Sequence, residues 1–122
     1  MLRLRLLLPL ALTAVALSVA AASASAVTLP KLVGTVGPGF TISVKNIKGQ
    51  LVKTTKPGKY LLVVSDKSNI HDFHLTGPGV NKIVTTVSFV GTKSLVVTLQ
   101  KGVYKFMCDP HLTTMHGLIV VK

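Results

Sequence analysis

What most limits the fold of this chain is the length and spacing of its apolar runs. Past residue 26 no segment keeps a helical period. Instead, β-branched and apolar stretches of roughly four to eight residues alternate with turn-forming Gly, Pro, Asn and Lys. The runs lie near 32–36, 40–46, 60–65, 70–76, 82–90, 94–99, 103–108 and 117–121. The turns fall at Gly37-Pro38-Gly39, Lys48-Gly49, Lys56-Pro57-Gly58, Gly77-Pro78-Gly79 and Lys101-Gly102. Strands this short at this spacing predict an all-β fold, a Greek-key β-sandwich or barrel of about 7–8 strands.

The two-residue period of a strand assigns faces. Tyr104, Phe106 and Cys108 share one face, and Val103, Lys105 and Met107 share the other. Lys105 marks its own face as outward, so Cys108 enters the interior with its sulfur shielded from water. Thr41, Ser43 and Lys45 likewise alternate with Phe40, Ile42 and Val44. The unbroken run Tyr60–Val64 gives no parity, as in a strand covered on both sides.

The first 26 residues read as a secretory signal peptide: Arg3 and Arg5, an apolar core from Leu6 to Ala20, and a small-x-small site at Ala24-Ser25-Ala26. A retained anchor is the rival reading. Residues 27–122 then form one domain, exported to the cell envelope, periplasmic or extracellular. Fourteen Lys+Arg, less Arg3 and Arg5, leaves twelve lysines, which against three aspartates gives this domain a formal charge of +9. Without arginine to fork onto phosphate or guanine, such a charge predicts no nucleic-acid role. It fits an anionic cell surface or an acidic redox partner better.

One cysteine excludes an internal disulfide, and a leftover thiol in an oxidising compartment needs a purpose. Cys108 stands three residues before His111 and seven before Met115, and His71-Asp72-Phe73-His74 lies upstream. These segments offer one thiolate, one thioether and two imidazoles, the donor set of a trigonal copper site with a weak axial Met. Soft sulfur suits Cu(I) and imidazole also suits Cu(II), so the set can hold both states. His71 and His74, three apart on a strand, face opposite sides, and only one can join Cys108.

Tyr104-Lys105-Phe106-Met107-Cys108-Asp109-Pro110-His111 followed by Met115-His116-Gly117 resembles the ligand loop of the plastocyanin/amicyanin/pseudoazurin cupredoxins, of the small secreted bacterial type. Ile70-His71-Asp72-Phe73-His74 resembles their upstream His segment. The resemblance covers roughly 33–122 and includes Gly37-Pro38-Gly39-Phe40 and Thr76-Gly77-Pro78-Gly79. It implies His71, Cys108, His111 and axial Met115 as the ligands of one copper per chain. His74 is then left outward and His116 at the surface. It also implies that His111, held by an extended turn at Pro110, is the ligand nearest solvent and serves as the electron port. The family usually has Asn after the upstream His, tying the two ligand loops together, whereas this chain has Asp72.

The function expected is a type 1 copper electron carrier, not an enzyme, acting as a monomer with a redox partner protein. The alternative is a copper-binding or copper-delivery protein of the envelope. Residues 27–122 contain neither Glu nor Arg, and four histidines are too few for the extra sites of a multicopper enzyme. Pro110, Leu112 and the Gly77-Pro78-Gly79 turn are expected to ring His111.

Overall fold

The computed structural model describes residue 11 and residues 14–122. The basic start and much of the apolar core of the expected signal peptide therefore lie outside the described residues. Nine strands follow in order: β1 (Lys31–Val36), β2 (Ile42–Lys45), β3 (Thr54–Thr55), β4 (Gly58–Asp66), β5 (Phe73–Gly77), β6 (Val80–Thr85), β7 (Gly91–Leu99), β8 (Gly102–Met107) and β9 (His116–Val121). They form two sheets, β2-β1-β4-β7 and β3-β9-β8-β5-β6, packed as a sandwich rather than closed into a barrel. The chain crosses between sheets at β2–β3, β3–β4, β4–β5, β6–β7 and β7–β8, the long-range pattern of a Greek key rather than a meander.

Two parallel pairings set the frame. β1 runs parallel to β4 in register Lys31↔Leu61 to Val36↔Asp66, and β3 parallel to β9. Because β1 and β4 climb together, the connections 37–41, 67–72, 86–90 and 108–115 all gather at one end of the sandwich. Those at 46–53, 56–57, 78–79 and 100–101 gather at the other.

Among the described residues, every buried apolar residue lies between Leu32 and Val121, so a chain beginning at Val27 keeps this core. β4 buries Tyr60, Leu62 and Val64 inward while Leu61 and Val63 stay half-covered, so this run is not sealed on both faces as its apolar character suggested. Below the metal end, Phe73 and Phe106 stack in parallel with centroids 6.1 Å apart. Gly34 of the facing sheet abuts Phe73 and Gly117 abuts Phe106, where added Cβ atoms would meet the rings at 2.9 and 2.2 Å. Both rings are buried, a stabilisation of about 1.5–3 kcal/mol each relative to exposure.

Three local expectations change. Thr54–Thr55 is a ninth strand of only two residues. The 82–90 run ends at Thr85, and a turn closed by Phe89 N–H donating to Thr86 O follows it. Met107, assigned outward by parity, is only 7% exposed, because His74 and His116 flank it in register on the neighbouring strands and cover it.

Candidate metal centre

Strand ends deliver the donors. His71 precedes β5, Cys108 follows β8, His111 closes a 3₁₀ turn Asp109–His111, and Met115 leads into β9. Pro110 was expected to extend this loop. It occupies the first turn of the 3₁₀ segment instead, where its fixed φ and missing N–H cost nothing. The loop is laced by its own backbone. Cys108 N–H donates to Met115 O (3.0 Å), Met115 N–H to His111 O (2.8 Å) and His111 N–H to Cys108 O (3.1 Å).

His71, Cys108 and His111 converge, with one donor atom from each lying within 4.8 Å of the others. The two Nδ1 atoms are 3.1 Å apart, and Cys108 Sγ is 3.7 Å from His71 Nδ1 and 3.6 Å from His111 Nδ1. The centre of that triangle is about 2 Å from each corner, the bond length of a first-row metal such as zinc to imidazole. Two ring nitrogens and a thiol aimed at one point fit a metal ion. His71 Nε2 is buried and has no hydrogen-bond partner among the described residues, so the ring's polar contacts are made through Nδ1.

Met115 is fully buried in the core, and its backbone is tied to both Cys108 and His111, which holds its thioether in the same loop. His71 and Cys108 are also fully buried, whereas His111 is half-exposed, leaving one imidazole within reach of solvent.

Burial pushes the Cys108 thiol above its ordinary range, and backbone N–H groups of Asp72 and His111 aimed at the sulfur oppose that rise. A raised thiol must lose its proton to bind metal, so loading releases a proton. Asp72, 4% exposed, accepts the Asp109 N–H at 2.7 Å and thereby ties the two ligand loops together, as the resemblance required of an Asn. Burial raises its carboxyl, partly offset by that N–H bond.

His74 is outward, as expected, and is not among the converging donors. Its Nδ1 meets both oxygens of Asp109 (3.0 and 2.9 Å) and its Nε2 lies 2.6 Å from Asn81 Oδ1. Burial works against charging His74, but the bonds to Asn81 and Asp109 outweigh it and raise its pKa. His116 stays at the surface, its Nδ1 donating to Leu112 O at 2.9 Å.

Phe40 is the residue that sequence reasoning missed. Its ring, 60% exposed, stands edge-on to His71 and His111 with centroids 5.4 and 4.8 Å away. Grouping it with Ile42 and Val44 placed it on a strand, but β2 starts two residues later, and Phe40 belongs to the 37–41 loop over the site. The loop's other end presses on the site too: a Cβ on Gly37 (φ +71°) would lie 3.1 Å from His71 Cδ2. The expected neighbour of His111, the Gly77-Pro78-Gly79 turn, is at the opposite end, where Tyr104 OH donates to Pro78 O at 2.6 Å. Of the two Gly-Pro-Gly segments, it is the one at 37–39 that lies over the site.

A family model described as copper binding proteins of the plastocyanin/azurin family matches residues 35–122. Among solved structures, reduced rusticyanin is 24% identical over 75% of this chain and 78% of its own, with TM-score 0.53. A second rusticyanin structure is 23% identical over 75% and 76%, with TM-score 0.52. Rusticyanin from Thiobacillus ferrooxidans is 25% identical over 75% and 76%, with TM-score 0.48. At such identities the first two speak to the fold alone. No curated protein matches the chain. The family match spans both histidine segments and all four candidate donors, and the chain belongs to the plastocyanin/azurin family of copper-binding proteins, a cupredoxin of the small blue copper type whose cofactor is copper.

Proposed function

We propose that this protein is a type 1 copper electron carrier working outside the cytoplasm, with His71, Cys108 and His111 as equatorial ligands and Met115 as the axial one. The observation that carries it is the convergence of three donors from two segments pinned by strands, with only His111 reaching solvent. Copper held there supplies a one-electron couple. The chain's part is to fix the donors so that neither oxidation state calls for rearrangement, and the backbone bonds among Cys108, His111 and Met115 do so. With neither Glu nor Arg after residue 26, the reading is a carrier rather than an enzyme.

Beside His111, Phe40 (60%), Leu112 (43%) and Ile70 (47%) expose apolar side chains, next to exposed Asp109, Thr113 and Thr114 of the same loop end. A small apolar patch suits the brief encounters of redox partners, which bury little area. Export, by a signal peptide ending near Ala26, remains part of the proposal; among the described residues no helix is long and apolar enough to cross a membrane.

The test is reversible one-electron reduction of the copper-loaded protein, with bimolecular rates to a small redox protein. Leu112→Asp should slow transfer about tenfold even at high ionic strength, the effect of about 1.4 kcal/mol lost at the contact. Rates indifferent to Leu112, or a copper form that stays colourless and cannot be cycled, would favour the copper-delivery reading instead.

A further inference from the structure

Charge is divided between the two ends of the sandwich. At the end away from the metal centre, Lys31 opens β1, Lys45 closes β2 and Lys48 lies in the turn beyond. Lys56 and Lys59 flank the start of β4, Lys101 sits between β7 and β8, and Lys122 follows β9; all are exposed. The four loops of the metal end hold one lysine, Lys67, while Asp66, Asp72 and Asp109 all lie there.

The lysine end also shows apolar side chains. Ile47 (75% exposed) and Leu51 (61%) project from the β2–β3 connection among Lys45, Lys48 and Lys53. Ile47 shares a groove with Leu29, Pro30 and Lys31. At this point the N-terminal segment joins the fold, Pro30 O accepting the Leu61 N–H at 2.9 Å.

We propose that the lysine end is a membrane-facing surface that docks on anionic lipid headgroups. Lysines cluster against the negative surface, while Ile47 and Leu51 enter the headgroup boundary. A soluble polyanion would ask for charge alone. Exposed aliphatic tips among the lysines select a lipid surface. Docked this way, the protein turns Phe40, His111 and Leu112 away from the lipid. The docking does not depend on the electron-carrier reading; only the usefulness of the outward orientation does.

The chain has no tryptophan, so single Trp reporters are clean. Metal-free protein beginning at Val27 would carry Ile47→Trp or Leu112→Trp and be mixed with vesicles containing anionic lipid and a doxyl-labelled quencher. Ile47→Trp should be quenched and Leu112→Trp should not. Lys48→Glu with Lys101→Glu should weaken vesicle binding by at least about tenfold, and added salt should release the protein, whereas Lys93→Glu on β7 should change it little. Equal binding to neutral vesicles, equal quenching of both reporters, or equal sensitivity to Lys93→Glu would overturn the proposal. Binding to soluble polyphosphate without quenching of Ile47→Trp would also overturn it, in favour of a polyanion partner.

Discussion

Replacing Gly117 with Ala tests whether the site rests on the aromatic stack beneath it. The added Cβ would lie 2.2 Å from Phe106 Cζ and 2.7 Å from Cε2, where an ordinary contact begins at 3.4 Å. The ring would have to retreat by more than an ångström. Its way is blocked by Phe73, parallel to it at 6.1 Å, and Phe73 is blocked in turn by Gly34. Overpacking of this kind costs about 1–3 kcal/mol, and for a domain of this size each kcal/mol lowers Tm by roughly 4–8 °C. Thermal unfolding of metal-free protein, followed by circular dichroism, should show the drop. Phe106→Leu, which shortens the offending group, should restore part of it in the double variant, because residues in contact do not add independently. The strain should also reach the metal, since Phe106 is two residues before Cys108 and Gly117 two after Met115. A Gly117→Ala protein within about 0.5 kcal/mol of the parent would refute the stack as a rigid support.

Two further outcomes follow from the charges around the site. His74 has its pKa raised above the ordinary 6.5 by Asn81 and Asp109, so its stabilising effect is complete below that value and disappears as pH rises through the folded-state pKa. Metal-free protein should lose Tm as pH rises above the ordinary imidazole value of 6.5, and His74→Gln, compared under the same conditions, should show a flatter profile. Asp72→Asn keeps an oxygen to accept the Asp109 N–H but removes a negative charge that favours Cu(II). The reduction potential should rise by tens of millivolts, about 59 mV being tenfold for one electron. That rise should shrink as acid protonates the raised Asp72 carboxyl, and voltammetry against pH checks both its size and its direction.

Much of the fold was legible because β-branched runs and turn residues mark strands directly: β1, β2, β4, β7, β8 and β9 fall where the runs do. β3 was invisible, since Thr54–Thr55 is two residues between lysines and forms only by lying alongside Val120 and Val121. The spacing from Cys108 to His111 and Met115 announced the donors, and strand parity turned Cys108 inward. Parity could not choose between His71 and His74; the family resemblance did. It also failed at Met107, whose cover comes from neighbouring strands and leaves no local trace. Which loops share an end depends on how many strands the chain has traversed. The Gly77-Pro78-Gly79 turn was therefore expected beside His111, and Phe40 went unnoticed over the two imidazoles. Pro110 was misjudged because its φ suits an extended turn and the first turn of a helix equally.

The central claim is that Cys108, His71 and His111 bind one copper as a type 1 site, and an optical spectrum of the Cu(II)-loaded protein beginning at Val27 tests it most directly. The account predicts an intense thiolate-to-Cu(II) charge-transfer band at one copper per chain. The band should be absent in Cys108→Ser and displaced or weakened in His71→Ala and His111→Ala, while His74→Ala retains it. A colourless Cu(II) complex, or a band that survives Cys108→Ser, would contradict it.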